Sequence, residues 1–225
     1  MSAHRAATST TEHDGYETDP YSLAAHLQLY LEAIELKNFA ELTVKTRRFI
    51  LGKLLKWCHE RSLCHSTEIT KPILDRYRRY LYDYRQENGR PLRFVTQHSR
   101  LSAIRAFFAW LARENLILYN PAGELDLPKV EERLPMVLTV KGVEKILAEV
   151  DLNSRFGTRD RAIIETLYST GLRASELCRL ELGHIDHDRG TVWIKQGKGR
   201  KDRIIPIGQR ALLWVDKYLS DARDE

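Results

Sequence analysis

Two stretches decide how this chain folds: Thr170-Gly171-Leu172-Arg173-Ala174-Ser175-Glu176-Leu177 and Gly197-Lys198-Gly199-Arg200-Lys201-Asp202-Arg203-Ile204-Ile205-Pro206-Ile207-Gly208. In the first, Gly171 reads as the residue just past a helix running from about Arg159 to Ser169, because glycine adopts the left-handed conformation that ends helices. Arg173 then opens a short helix through Leu180, with Glu176 one turn away on the same face. In the second, Asp188-Arg189-Gly190 signals a turn before a strand from Thr191 to Lys195. Gly197 to Lys201 forms a hairpin tip, and Asp202 to Ile207 is the returning strand. Glycines on both sides of Lys198 suit a tight turn that can approach another molecule closely.

Around this centre the pattern is helical. Leu138-Thr139 caps a helix through Ile146, and Gly208 precedes a last helix. Residues 121–135, with Pro121, Gly123, Pro128 and Pro135 among charges, have linker composition. Before them lie four amphipathic helices. The first carries Leu23, Leu27, Tyr30, Leu31 and Ile34 on one face. The second begins near Thr43, an N-cap, with Thr46, Ile50, Leu54 and Trp57 on one side and Lys45, Arg48 and Lys56 on the other. The third follows Thr70-Lys71-Pro72 and aligns Ile73, Tyr77, Tyr80 and Tyr84 as a core stripe, ending at Asn88-Gly89. The fourth, Phe94 to Glu114, has Leu101, Ile104, Phe108 and Leu111 inside, with Arg93, Arg100 and Arg105 off that stripe. Residues 1–19 are polar and expected to be a disordered tail. The division is thus 1–19 tail, 20–120 helical domain, 121–135 linker and 136–225 second domain.

Charge narrows the partner. Residues 41–120 carry 16 Lys/Arg against 7 Asp/Glu, and residues 191–210 carry 6 against 1. Two basic blocks separated by neutral chain suit two surfaces facing one polyanion, since Lys and Arg neutralising phosphates supply most non-specific DNA affinity. Solvated helix faces are the plainer explanation of the same charges. Cys58-His59 and Cys64-His65 fit no standard zinc spacing, and Cys58 falls on an apolar helix face, so no metal is expected. Cys58, Cys64 and Cys178 cannot all pair, which points to a reducing compartment. With no apolar leader and no stretch long enough to span a bilayer, a cytoplasmic chain without membrane partners is expected.

The pairing of Thr170 to Leu177 with Gly197-Lys198-Gly199 resembles the front half of the active site of the tyrosine recombinases, also called the phage integrase family. Shorter matches agree: Thr43-Val44-Lys45-Thr46, Arg100-Leu101-Ser102-Ala103-Ile104-Arg105, Asn120-Pro121-Ala122 and Leu134-Pro135. The pattern is similar to that of bacterial chromosome-dimer-resolving recombinases and covers residues 20 to 220. The resemblance implies a mainly α fold with a small β-hairpin or sheet. It would comprise an N-terminal four-helix SAM-like core-binding domain and an incomplete α+β integrase catalytic domain. It implies double-stranded DNA as substrate and further recombinase protomers as partners, a tetramer on DNA in a completed protein. No cofactor and no small-molecule substrate are implied.

By that resemblance Arg173 is a phosphate-clamping arginine, suited by a planar guanidinium that never deprotonates. Glu176 supports it. Lys198 is the general acid for the leaving 5′ oxygen, its pKa lowered by desolvation among cations. Lys195 and Lys201 are alternatives for that role if the turn registers differently. Lys45, Arg48, Arg93, Arg100, Arg105, Arg200 and Lys201, with Arg203, read as DNA-backbone contacts. The family next requires His-x-x-Arg, a further His or Trp, and a nucleophilic tyrosine. No His follows His187, no His-x-x-Arg occurs, and the sole tyrosine after the hairpin is Tyr218, in a helical stretch with Leu212, Trp214 and Leu219. A chain truncated before those groups is therefore expected, with apolar surface exposed in its second domain. Two readings follow: a DNA strand-breaking and rejoining enzyme represented by part of its chain, or a remnant that binds DNA without cleaving it. An unrelated helical DNA-binding protein using only the basic blocks is a third.

Overall fold

The structure is a computed structural model and describes residues 19–131, 134–195 and 201–221. The chain divides into two compact units at Arg133 and Leu134. The first unit is all-helical: α1 (Leu23–Leu36), α2 (Glu41–His59), α3 (Lys71–Asp83) and α4 (Phe94–Arg113), with one 3₁₀ turn at Ser66–Glu68. Ser22 caps α1, its side chain accepting from the Ala25 N–H at 3.1 Å, which satisfies one of the donors a helix start leaves open. All five apolar residues assigned to the inner face of α1 are buried. So is the α4 stripe, with Leu101, Ile104, Phe108 and Leu111 fully enclosed.

The structure corrects the bounds and inner faces of α2 and α3. α2 starts at Glu41 with Ala40 at the cap position, ahead of Thr43. Thr46 is exposed and donates to the Leu42 carbonyl at 2.7 Å, while Val44, Leu51 and Cys58 join Ile50, Leu54 and Trp57 on the buried face. In α3 the inner face is Leu74, Tyr77 and Leu81. Tyr80 and Tyr84 lie at its solvent edge, and Ile73 is half-buried. The tyrosines follow one another at helical spacing, but α3 ends at Asp83, so the Asn88-Gly89 turn belongs to the following loop. Within the segment of linker composition, Ala122 and Leu125 are buried in the core of the first unit.

The second unit contains α5 (Val140–Ala148), α6 (Gly157–Thr170), α7 (Ala174–Leu177), strands β1 (Ile185–Asp186), β2 (Thr191–Ile194) and β3 (Arg203–Pro206), and α8 (Gln209–Asp221). The strands form one antiparallel sheet in the order β1-β2-β3. Thr139 caps α5, accepting from the Gly142 N–H at 3.1 Å. Gly171 ends α6 at φ +65°, the left-handed conformation that a side chain resists. α7 is a single turn, shorter than the helix to Leu180 expected from sequence.

The core of this unit is small: Leu172, Val192, Ile194, Ile207, Ala211 and Leu212. An ion network around the buried Glu165 carboxylate supplements it. Arg161 binds Glu165 through Nε and Nη2 at 3.1 and 3.0 Å and donates to the Leu147 carbonyl at 2.7 Å. Arg210 spans Glu165 and Glu144 at 2.8 Å each. One buried carboxylate thereby ties α5, α6 and α8 together. Ile204, Leu213 and Phe156 remain exposed on this unit.

Candidate nucleic-acid interface

The densest arrangement of functional groups lies where α7 meets the root of the hairpin. Arg173 occupies the cap position of α7 in an extended conformation, with its side chain about half exposed. The Glu176 side chain folds back beneath it. Glu176 Oε2 accepts the Arg173 backbone N–H at 3.0 Å, and Oε1 accepts Arg173 Nη1 at 2.8 Å. Arg203 reaches the same carboxylate from β3, donating Nη1 to Oε1 at 3.0 Å and Nη2 to Oε2 at 2.7 Å.

The Glu176 side chain is only 2% exposed, whereas that of Arg173 is 54% exposed. A carboxylate this enclosed stays ionised because Arg203 donates to it first, then the Arg173 backbone and side chain. These hold its pKa well below the usual carboxylate range against the opposing effect of burial. Two guanidinium groups share one carboxylate, leaving a net positive charge at an open surface. A one-turn helix has little macrodipole, so this charge comes from the arginines.

Arg203, which the sequence groups with the DNA-backbone contacts, has both ends of its fork on the Glu176 carboxylate. Strand alternation carried the signal. Arg203 and Ile205 share the partly buried face of β3, while Ile204 and Pro206 face solvent. Arg203 also pairs with Ile194 across the hairpin, the last paired position before the loop. Lys198 and Arg200 lie outside the described residues; Lys201 is exposed.

In the first unit the assigned cations are spread over two helices. Lys45 pairs with Glu41 at 2.6 Å on the open face of α2. Arg48 lies 3.5 Å from Gln28 and 4.0 Å from Glu35. Arg93 is at the cap of α4 and exposed, Arg100 is half-buried and Arg105 is exposed. Arg93 and Arg100 fall on one side of α4, but Arg105 is turned from Arg100 by about 140° around the helix axis. The helix therefore does not present all three on one line.

Among the described residues no group of three or more His, Cys, Asp or Glu side chains is placed to hold a metal ion. Cys58 is fully buried, and burial pushes its thiol up to about 12, which suits a core side chain. Nor is any described helix long and apolar enough to cross a membrane.

The chain matches the phage integrase family over residues 136–225 and the phage integrase N-terminal SAM-like domain over residues 26–115. A tyrosine recombinase, XerC 2 of Ralstonia nicotianae, is 44% identical over 204 residues, covering 90% of this chain and 59% of the relative. Tyrosine recombinase XerC of Escherichia coli O157:H7 is 43% identical over 125 residues, 56% of this chain and 41% of its own. Among solved structures, a lambda integrase tetramer bound to a Holliday junction superposes with TM-score 0.63 at 19% identity, over 85% of this chain and 53% of that one. The Tn1549 transposon integrase in complex with circular intermediate DNA gives 0.60 at 18% identity, over 87% and 64%. These neighbours establish the fold: a mostly helical two-part architecture with one small antiparallel sheet. The chain belongs to the phage integrase family of tyrosine recombinases. It spans 59% of the length of the Ralstonia relative and 41% of that of the Escherichia relative.

Proposed function

We propose that this chain takes part in site-specific recombination of double-stranded DNA, engaging the duplex with both units and a target phosphate with Arg173. The observation that carries this is the shared carboxylate. Glu176 is enclosed and held ionised, yet Arg173 donates only one side-chain bond to it and keeps the rest of its fork exposed. An arginine braced at one end and open at the other is suited to bidentate capture of a phosphate whose oxygens gain charge during in-line attack.

In the reaction proposed, a tyrosine oxygen, its proton released to solvent, attacks phosphorus, a 3′-phosphotyrosine bond forms, and the bond to the 5′ oxygen breaks. That leaving oxygen takes a proton from Lys198. Lys201, Arg200 and the α2 and α4 cations Lys45, Arg48, Arg93, Arg100 and Arg105 contact the DNA backbone. Neither metal nor organic cofactor is needed, because the phosphotyrosine conserves the bond energy and the cations stabilise the charge. Further recombinase protomers are the proposed protein partners.

The first test is binding. Affinity for a duplex should fall steeply with rising salt, and Arg100→Ala with Arg105→Ala should weaken all duplex sequences alike. Salt-independent affinity, or none at low ionic strength, would refute DNA engagement. The second test is cleavage on a nicked suicide duplex that traps protein–DNA covalent product on a denaturing gel. Tyr218 sits in α8 with a half-buried side chain. We expect these 225 residues alone to give no trapped band, as the DNA-binding remnant also requires. A band lost on Tyr218→Phe would make Tyr218 the nucleophile. In an assembly that supplies a tyrosine, Lys198→Ala should impair cleavage, and a sulfur leaving group at the 5′ position, which needs no proton, should restore it. Failure of that rescue would remove Lys198 as the acid while leaving binding intact.

A further inference from the structure

Arg203 raises a question of charge. Glu176 has two oxygens, each already accepting from Arg203, at 3.0 and 2.7 Å. Arg173 contributes a backbone N–H to one and a single side-chain nitrogen to the other. A guanidinium facing an otherwise free carboxylate three residues away would adopt the two-pronged geometry that arginine and carboxylate favour. Arg173 does not, because Arg203 already holds the fork-shaped position on that carboxylate.

We infer that Arg203 is a positioning residue. It occupies the Glu176 carboxylate and so leaves the Arg173 guanidinium open, both in charge and in geometry, to a DNA phosphate. The inference rests on the reading of Arg173 as a phosphate ligand. Without Arg203 the site holds one carboxylate and one guanidinium, a neutral pair closed on itself. With Arg203 it carries a net positive charge, and the exposed arginine is the one able to reach a ligand: Arg173 is 54% exposed at its side chain against 35% for Arg203. The location makes this economical. Arg203 lies opposite Ile194 in the last pair of the β2–β3 ladder, so one side chain both pins the hairpin root to α7 and neutralises the acid.

The experiment is the salt dependence of mixed-sequence duplex binding by the 225-residue chain. The slope of log affinity against log salt counts phosphates neutralised, and loss of one contact lowers its magnitude by about one. Arg173→Ala should produce that loss. Arg203→Met should produce the same loss, and the double variant Arg173→Ala/Arg203→Met no more than either alone, since both act through one contact. A further drop of about one in the double variant would make Arg203 a phosphate ligand in its own right and overturn the inference. An unchanged slope for Arg203→Met, with Arg173→Ala lowered, would leave Arg203 a purely structural brace and overturn it too. If Arg173→Ala itself leaves the slope unchanged, the reading of Arg173 falls and this inference with it.

Arg203→Met strands a buried carboxylate and can unfold the unit. Glu176→Gln/Arg203→Met removes both charges and so keeps the test available. Arg173 is then free of any competing acid, and the slope should return to the wild-type value. A slope that remains about one lower in this variant refutes the positioning role.

Discussion

Glu176 shows how much one side chain decides here. Its carboxyl is held below the ordinary range by Arg203 and Arg173, so its folded pKa lies beneath the unfolded value near 4.5. The folded state therefore binds the proton less tightly than the unfolded state. The stabilisation is complete above about pH 4.5 and is lost progressively as the solution becomes more acid. Urea midpoints of the second unit should fall on acidification, and Glu176→Gln should flatten that limb while lowering stability at neutral pH. Equal acid sensitivity in the two proteins would show that the carboxylate is not held as described. His26 offers the corresponding case near neutrality. It is buried, its Nδ1 lies 2.8 Å from Ser66 Oγ, and burial lowers its pKa below 6.5 despite the charge of Asp19. Its contribution to the first unit is present above about pH 6.5 and declines as pH falls. A melting temperature that drops between about pH 7 and 5 for the wild type, but less for His26→Gln, is the expected result.

At the scale of elements, the two ends of α6 need glycine for different reasons. Gly171 has φ +65° and open space where a Cβ would go. Gly171→Ala therefore costs only the backbone strain of a left-handed alanine, about 1 kcal/mol. Gly157 has ordinary backbone angles, but a Cβ there would meet the Asp151 carbonyl oxygen and lie 2.7 Å from the Leu152 Cα. Backbone cannot move aside as a side chain can, so Gly157→Ala should cost more, about 1–3 kcal/mol. Thermal denaturation of the two variants would check the order, and a harmless Gly157→Ala would show that the α5–α6 loop yields. Gly171 was legible because helix ends announce themselves in local chemistry. Gly157 was not, because its constraint comes from a neighbouring segment pressed against it.

For the whole molecule, the two units differ in what holds them. The first encloses Tyr77, Phe107, Phe108 and a run of leucines almost completely, with Tyr30, Phe107 and Phe108 in edge-on contact. The second relies on a much smaller apolar cluster and two buried carboxylates, each serving two arginines. Burial of apolar area is the main source of stability, and buried ion pairs add less than their number suggests. The second unit should therefore open first. Hydrogen exchange on the intact chain should show faster global opening of α5, α6 and α8 than of α1, α2 and α4. Equal protection in the two sets would mean that the ion networks contribute more than the area buried implies.

The sequence by itself determined the helices with strong periodicity, the glycine stop after α6, the strand and turn signals of the hairpin, and the family. Each depends on residues near one another in the chain, where spacing of 3.6 or 2 residues and turn chemistry act directly. Arg173 and Glu176 were legible together because one helical turn separates them. Tertiary structure alone decided which face of α2 and α3 is inside, since Thr46 has suitable spacing but stays exposed, and Tyr80, though beside Trp57 and Tyr77, remains at the solvent edge. It also decided that Arg203 belongs to Glu176 rather than to solvent, because 27 residues separate the partners and only the folding of the hairpin onto α7 brings them together. Periodicity shows that a residue has an inner face; what that face meets depends on segments distant in the chain.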